Sequence, residues 1–326
     1  MIEHAQHTPG QRPTRPPYPT DAPFAAIEAG GTKWVCALGD ASGQLFARHR
    51  FATRGPQETL TEAVAWLRGA ADAHGMPQAL GMASFGPLEL DPAAPQYGRL
   101  LRTPKPGWSG TDLLTPFRAE FPGLRLALDT DVNAAALAEA DAFAQDAGRL
   151  PRSLVYLTIG TGIGGGVAID GRPLHGLLHP ELGHLHLRRH ADDLGAGGTP
   201  FAGVCPYHGD CLEGLASGPA LHARLGQGLD AAAPDHTIWA VQADYLGQLC
   251  AQIALMLSPE RIVLGGGVMQ QTRLFPPLRA RARHWLGGYL DRPQTEDGID
   301  RWIVPPTLGQ DSGLQGALRL ARMAAR

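Results

Sequence analysis

The chain has 326 residues, of which 44% are hydrophobic and 18% are charged, and its formal net charge at pH 7 is -3. This composition is typical of a soluble globular protein with one large domain or two smaller ones. Because nucleic-acid binding usually comes with a basic surplus, the charge gives no reason to expect a nucleic-acid partner. No window approaches the roughly 20 apolar residues of a membrane span. A cytoplasmic protein without a membrane partner is therefore predicted.

The first 22 residues are rich in proline and polar side chains, and they contain no apolar run that could act as a signal peptide. Such a composition cannot bury enough apolar surface to offset the entropy of ordering. Residues 1–22 are predicted to form a disordered leader that the folded protein does not need.

A β-meander is predicted at the start of the ordered chain. Its strands cover residues 24–29, 34–38 and 45–51. The first turn contains two successive glycines, which let backbone N–H groups approach a phosphate because no Cβ intervenes. This turn is therefore a candidate phosphate-binding hairpin.

The middle of the chain repeats this arrangement, with a strand at residues 154–159, a glycine-rich turn at 160–166 and a strand at 167–169. A dinucleotide-binding fingerprint would need a helix after the glycines, and a Walker loop would need Gly-Lys-Ser/Thr. Neither follows here. Two glycine hairpins so far apart in one chain indicate two related halves.

Helices are predicted between and after the hairpins, and the glycines at 265–267 are expected to open one more. The helices cover residues 59–74, 134–147, 238–257 and 309–325. Alternating strands and helices predict an α/β fold of two domains with a ligand cleft between them. The expected domains are residues 23–133, completed by a helix at 309–326, and residues 134–308.

Two carboxylates, Asp129 and Asp131, occur where a strand at residues 125–128 meets the following helix. A carboxylate there can take the proton of a substrate hydroxyl, or it can cap the helix. Asp129 lies two residues back in the strand, so its side chain is predicted to share a face with that of Asp131. The residues alone leave open whether Asp131 is a base or a cap.

A zinc site is predicted from a Cys-x-x-His-x-x-Cys run, which seldom arises for packing in a chain with four cysteines. Its members are Cys205, His208 and Cys211. A structural zinc site takes four protein ligands, and His184 and His190 are the candidates for the fourth. The metal would hold a loop over residues 181–213 together with the carboxylates in it.

Five blocks, in this order, resemble the ROK family (repressor, open reading frame, kinase): Glu-Ala-Gly-Gly-Thr-Lys, Asp-Val-Asn-Ala-Ala-Ala-Leu, Thr-Ile-Gly-Thr-Gly-Ile-Gly-Gly, Pro-Glu-Leu-Gly-His and Leu-Gly-Gly-Gly-Val-Met. The resemblance covers residues 24–325. Ser-Phe-Gly-Pro and Cys-Pro-Tyr-His-Gly-Asp-Cys resemble the zinc-containing bacterial fructokinase branch. The resemblance implies an actin-like (ribonuclease H-like) fold, a homodimer, and phosphorylation of D-fructose to fructose 6-phosphate by Mg-ATP.

The resemblance also implies roles for individual residues, with Asp131 as the general base. The hexose would contact Asn133, Glu181, Glu213 and Lys105. The phosphates and adenosine of ATP would contact Gly30, Gly31, Thr32, Lys33, Thr161, Gly162, Gly265, Gly266 and Gly267. Structural zinc would be bound by His184, Cys205, His208 and Cys211. His184 is preferred to His190 because it belongs to the metal-binding block of the family.

Two departures from the wider family bear on the sugar. Glu28 replaces the Asp of many members, and Lys105 stands where glucose-directed relatives carry Asn. A kinase for glucose, mannose or an N-acetylhexosamine is the alternative, because sugar specificity depends on a few hydrogen bonds. A sugar-responsive repressor is a more distant one, since repressors of the family carry an N-terminal helix-turn-helix that the proline-rich leader cannot form.

Overall fold

The structure, a computed structural model, describes residues 22–195 and 198–326. Apart from Ala22, the predicted leader lies outside these residues. The described chain forms two five-stranded sheets, each built from a meander and two further parallel strands. None of the described helices is long and apolar enough to cross a membrane.

The first sheet has the strand order β3-β2-β1-β4-β5. Its strands are β1 (Phe24–Ala29), β2 (Lys33–Gly39), β3 (Leu45–Ala52), β4 (Ala79–Ser84) and β5 (Arg125–Thr130). The first three are antiparallel, which confirms the predicted meander, and β4 and β5 run parallel to β1.

The second sheet repeats this topology, with the order β10-β9-β6-β7-β8. Its strands are β6 (Ser153–Ile159), β7 (Ile163–Ile169), β8 (Arg172–Pro173), β9 (Arg261–Gly265) and β10 (Ile303–Val304). The strands β6 to β10 occupy the places that β1 to β5 occupy in the first sheet. The predicted turn at 160–166 is too long, because residues 163–166 pair with β6 and belong to β7. The two glycine hairpins belong to two halves of equal topology.

The helices agree with the predicted ones except after the glycines at 265–267 and at three starts, since the helices predicted from 59, 134 and 309 begin at Pro56, Asp131 and Ser312. They are α1 (Pro56–His74), α2 (Thr115–Glu120), α3 (Asp131–Ala147), α4 (Leu212–Ala216), α5 (Gly218–Leu225), α6 (Ile238–Leu257), α7 (Phe275–Leu286), α8 (Ile299–Trp302) and α9 (Ser312–Ala325). α3 begins three residues before the predicted start. The glycines at 265–267 lead into two 3₁₀ turns, and α7 begins only at Phe275.

Five layers result from the packing of these elements. α1 and α2 cover the outer face of the first sheet, while α6 and α7 cover the outer face of the second. α3 and α9 lie between the sheets in a shared core. α3 follows the first sheet but packs on β6 and β7, whereas α9 follows the second sheet but packs on β1, β4 and β5.

Glycines permit the close approach of these central helices. A Cβ at Gly316 of α9 would lie 2.0 Å from the carbonyl oxygen of Ala134 in α3. A Cβ at Gly81 of β4 would lie 1.9 Å from the carbonyl oxygen of Ala317. Any larger side chain at either position would push backbone apart. The packing thereby fixes the start of α3 at the boundary between the two halves.

Candidate active site

Asp131 is the first residue of α3, directly after β5. The N-cap of this helix is Thr130, whose Oγ1 accepts a hydrogen bond from the backbone N–H of Asn133 at 3.1 Å. Oδ1 of Asp131 accepts from the backbone N–H of Val132 at 2.9 Å. Since Thr130 caps the helix, the capping role left open for Asp131 is already filled by its neighbour.

Two cavities meet at Asp131. The smaller one, of about 150 Å³, is also lined by Glu28 and Lys33. The larger one, of about 390 Å³, is also lined by Glu181 and Glu213. A carboxylate at this junction can contact a molecule in either cavity, so a group could pass from one to the other beside it.

The protonation of Asp131 is set by its surroundings. Burial and, to a smaller extent, the negative charge of Glu28 together raise the pKa of its carboxyl to about 7, against the backbone hydrogen bond from Val132. Glu181 adds a smaller contribution of the same sign. Burial also raises the pKa of Glu28, while Lys33 opposes that rise. A carboxyl that titrates near neutral pH is well matched to take up a proton in a reaction.

The prediction that Asp129 and Asp131 share a face is wrong. β5 ends at Thr130, so the alternation of the strand stops before Asp131 enters the helix. Asp129 is buried, and its carboxylate accepts from Asn133 Nδ2 at 2.8 Å and pairs with His175 Nε2 at 2.9 Å. The hydrogen bond to Asp129 raises the pKa of His175. Asp129 therefore has fixed protein partners and lines neither cavity at Asp131.

Two of the predicted sugar contacts do not line the larger cavity. Asn133 is buried, and its amide binds Asp129 through Nδ2 and the backbone N–H of Val167 through Oδ1, at 3.3 Å. Lys105 Nζ instead donates to the carbonyl oxygen of Gly31 at 2.5 Å. Both side chains are occupied in holding other parts of the protein.

The other two predicted sugar contacts, Glu181 and Glu213, are brought together in the larger cavity. Burial raises the pKa of Glu181 to about 7, and the charge of Glu213 adds to the effect. Glu213 Oε2 accepts from the backbone N–H of Ile163 at 2.9 Å, directly after the second glycine turn. A Cβ at Gly162 would lie 2.7 Å from this oxygen, so only glycine leaves room for the contact.

Of the predicted nucleotide-binding residues, only Lys33 and Gly266 are in the lining of the smaller cavity, and the others lie in the turns around these two. In the first turn, the N–H of Gly30 donates to the carbonyl of Lys33 at 3.0 Å, and Gly31 and Thr32 are exposed. The second turn, which contains Thr161 and Gly162, is closed by a 2.9 Å hydrogen bond from Gly160 N–H to the carbonyl of Gly162. Gly265, Gly266 and Gly267 lie beside this second turn, because Gly266 approaches the backbone of Ile159. Lys33 and Gly266 line the smaller cavity together.

A cluster of sulfur and nitrogen ligand atoms adjoins the larger cavity, and all four atoms lie within 4.8 Å of one another. The members are His184, Cys205, His208 and Cys211. His184 Nδ1 lies 3.5 Å from Cys211 Sγ and 3.8 Å from Cys205 Sγ. Sulfur and nitrogen ligands of tetrahedral zinc are about 3.6 Å apart, so this donor set fits the metal. His190 lies outside the cluster, and its Nδ1 accepts from the backbone N–H of Asp192.

The cavities also contain polar residues that were not predicted as contacts. Arg102 and Tyr207 line the larger cavity, and His179 joins its wall to the first half by accepting from the N–H of Leu88 at 3.1 Å. His179 Nδ1 is 3.4 Å from Glu181 Oε1. His179 could have been found from its place beside Glu181 in the sequence, whereas Arg102 reaches the cavity only through long-range packing.

Curated relatives match almost the whole chain. The ROK family model matches residues 24–324. A putative fructokinase of Bacillus subtilis is 42% identical over 301 residues, which cover 92% of this chain and 96% of the relative. The fructokinase of Zymomonas mobilis is 42% identical over 304 residues, covering 92% and 97%.

Solved structures match the fold equally widely. A ROK hexokinase from Thermus thermophilus superposes with a TM-score of 0.69 at 26% identity, covering 92% of this chain and 98% of that one. A ROK glucokinase from Streptomyces griseus, solved with glucose and AMPPNP, gives 0.68 at 24% identity, covering 93% and 100%. These matches confirm the actin-like, ribonuclease H-like α/β fold. On the family model and the identity to its relatives, the chain belongs to the ROK family.

Proposed function

We propose that this protein is a fructokinase, which transfers the γ-phosphoryl group of Mg-ATP to the 6-hydroxyl of D-fructose. The observation that carries the proposal is the position of Asp131, whose carboxylate stands where the two cavities meet. Curated fructokinases that are 42% identical support the choice of sugar. The kinase neighbours, one of them solved with AMPPNP, support the choice of ATP.

Asp131 is assigned the role of general base. The hexose would occupy the larger cavity against Glu181 and Glu213, with its 6-hydroxyl hydrogen-bonded to Asp131. As the hydroxyl oxygen forms its bond to the γ-phosphorus, the proton passes to the Asp131 carboxylate and ADP leaves. A carboxyl pKa of about 7 keeps a large fraction of this base ready at neutral pH.

The smaller cavity is assigned to the phosphates of ATP. The turn with Gly30, Gly31, Thr32 and Lys33 and the turn with Thr161 and Gly162 would supply backbone N–H donors. The adenosine would lie along Gly265, Gly266 and Gly267. Mg²⁺ prefers oxygen ligands, so the Glu28 carboxylate beside Lys33 would hold it together with the phosphates, where it neutralises their charge.

Asn133 and Lys105 receive positioning roles in this proposal. Asn133 ties Asp129 to β7 and thereby fixes the first turn of α3 under Asp131. Lys105 fixes the first glycine turn through Gly31. Arg102 is then the cationic side chain that the larger cavity offers to the sugar.

Zinc is proposed at the cluster of His184, Cys205, His208 and Cys211. Four protein ligands leave no open coordination position, so the metal would be structural and take no part in phosphoryl transfer. Glu213 lies two residues after Cys211 and Glu181 three before His184, so the metal would hold both sugar contacts. The ligand thiols must stay reduced, which accords with a cytoplasmic location. A homodimer, as the resemblance implies, would be checked by light scattering after size exclusion.

The test is a panel of hexoses with Mg-ATP, followed by ADP release and by identification of the sugar phosphate. We expect the highest kcat/KM with fructose and the phosphate at its 6-position. A higher kcat/KM with glucose, mannose or an N-acetylhexosamine would assign a different sugar. No turnover with any hexose would overturn the assignment as a sugar kinase.

A further inference from the structure

A third cavity, of about 880 Å³, is larger than either cavity at Asp131 and lies at the opposite end of the second sheet. It opens where α6 ends and β9 begins, and Arg261, the first residue of β9, lines it. Gly265 ends the same strand at the proposed nucleotide site, about 13 Å away at 3.3 Å per residue. The third cavity is therefore separate from the catalytic cleft.

The lining of the third cavity combines apolar walls with an excess of positive charge. Phe143 and Trp302 are among its apolar residues. Its four arginines are Arg149, Arg261, Arg292 and Arg301, and its two carboxylates are Glu260 and Asp297. In a chain of net charge -3, four arginines around one cavity are a local concentration and not a general property of the surface.

The ion pairs of the cavity leave most of this charge uncompensated. Arg149 Nη2 binds Glu260 Oε2 at 2.6 Å, which occupies both partners. Within residues 22–195 and 198–326, the side chains of Arg292 and Arg301 make no ion pair. Three arginines therefore face a single exposed carboxylate, Asp297.

Arg261 provides a second, independent sign of a ligand. Its guanidinium carbon lies 4.5 Å from the ring centroid of Phe143, which supports the planar group from one side. Its Nε is buried, and among the described residues it has no hydrogen-bond acceptor. A buried donor without an acceptor is costly, so the Arg261 side chain would be stabilised by an anionic acceptor in the cavity that it lines.

We propose that this cavity binds a small phosphorylated metabolite that carries at least two negative charges. Guanidinium groups match phosphate oxygens in geometry as well as charge, and three arginines without an ion-pair partner line this cavity. The apolar walls would contact the carbon skeleton of the ligand. The volume falls within the range of about 300–1,000 Å³ that small-molecule sites occupy. Because the cavity is separate from the catalytic cleft, its ligand would bind in addition to ATP and the hexose and would compete with neither.

Isothermal titration with fructose 1,6-bisphosphate tests the proposal, with the catalytic cleft saturated by fructose and a non-hydrolysable ATP analogue. We expect one saturable site per chain, weakened by salt. Arg261→Met and Arg301→Met should each weaken binding at least about tenfold, because each removes a charge-assisted hydrogen bond. Arg172→Met, at an exposed arginine of β8 outside the cavity, should leave the affinity unchanged.

The proposal fails if the probe produces no saturable binding, or if Arg261→Met and Arg301→Met bind it as tightly as the wild type. It also fails if raising the concentration of the ATP analogue displaces the probe. Arg301 is exposed, so its variant remains informative even where Arg261→Met is unstable. Hexose turnover without the probe should be unchanged in Arg301→Met, which separates this site from the proposed kinase function.

Discussion

The two halves of the molecule follow the same path, yet the helices after their last parallel strands begin very differently. α3 begins with Asp131, which makes no ion pair with a described residue and whose pKa burial raises to about 7. α9 is preceded by Asp311, which is exposed and binds Arg48 at 2.7 Å. The same topology thus places a carboxylate without an ion pair at one junction and an ion-paired carboxylate at the other.

The two helices also differ in how their first turns are held. Thr130 caps α3 with its own hydroxyl. The approach to α9 is held by Glu139 from the middle of α3, whose buried carboxylate accepts from the N–H groups of Thr307 and Leu308 and from Ser312 Oγ. One junction is capped locally and the other is bound across the core.

The largest effect is expected from Asp131→Asn, the most direct way to break this comparison. Asn keeps the shape of the side chain but cannot take the proton of the sugar hydroxyl. Turnover should fall by roughly 10²–10⁴-fold, the usual contribution of a positioned base. Steady-state kcat with fructose and Mg-ATP measures the loss, while thermal unfolding should change little.

The control is Asp311→Asn, at the carboxylate directly before the corresponding helix of the second half. An exposed ion pair contributes about 1 kcal/mol or less, so turnover and stability should remain close to wild type. If Asp131→Asn retains near-normal kcat, Asp131 is not the base. The difference between the two junctions would then have no bearing on catalysis.

The second effect concerns stability and the two ways of holding a helix start. Glu139→Ala removes the buried acceptor shared by two partly buried N–H groups and the Ser312 hydroxyl, and it should lower the free energy of unfolding by roughly 3 kcal/mol. Thr130→Ala removes one local cap and should cost about 1 kcal/mol. Urea unfolding of both variants measures the difference. A larger loss for Thr130→Ala would show that the contact across the core is the weaker support.

The third prediction concerns the metal. Among the described residues, the cluster of Cys and His ligands belongs to the second half alone, so loss of the metal should affect that half. Cys211→Ser should abolish stoichiometric zinc in metal analysis. It should also raise the KM for fructose about tenfold, because Glu213 loses its anchor to the loop and with it a charged hydrogen bond to the sugar. kcat should change less.

The control for the metal is His190→Gln, at the histidine outside the cluster. This variant should keep one zinc per chain and an ordinary KM. Zinc retained in Cys211→Ser, or lost in His190→Gln, would contradict the ligand set.

The smallest effect is a shift in pH dependence. A base must be deprotonated, so kcat/KM should rise with pH through about 7, the pKa to which burial and Glu28 raise Asp131. Before Mg-ATP binds, the charge of Glu28 favours the protonated form of Asp131. Glu28→Gln should therefore lower that pKa and move the acidic limb of kcat/KM for Mg-ATP, which reports the free enzyme, to lower pH by less than about one unit. Rate profiles measure the limb independently of any fall in absolute rate.

Glu58→Gln serves as the control for the pH shift, because this exposed carboxylate pairs with Arg54 away from both cavities at Asp131. Its acidic limb should coincide with that of the wild type. A limb that stays in place in Glu28→Gln would remove Glu28 as a cause of the raised pKa.

Local patterns were sufficient for much of the fold. The glycine turns predicted both meanders, because strand alternation and turn chemistry act over a few residues. The start of α3 was predicted at residue 134 and lies at Asp131, since the end of β5 is fixed by its pairing with β4. Interlayer packing, such as the contact of Gly316 with Ala134, depends on residues far apart in sequence and left no local signal.

The candidate site was likewise predictable where a short sequence pattern defines it and not where long-range folding does. The cluster around Cys205 was readable because zinc demands a fixed set of ligand types at short spacing. Lys105 was expected to contact the sugar, but in the folded protein its Nζ donates to the carbonyl oxygen of Gly31. Arg102 lies in the cavity for the same reason, since only the folded loop decides which of two nearby cations faces inward.

The placement of α9 has a consequence for the order in which the protein can mature during synthesis. The inner face of the first sheet, complete in sequence at Thr130, is covered by a helix that begins only at Ser312. At about 5–20 residues per second, the roughly 180 intervening residues take on the order of ten seconds or more to translate. Throughout that interval the apolar face of the oldest sheet is left open on the ribosome. The N-terminal half is therefore expected to expose an apolar surface of the kind that chaperones bind until the last residues emerge.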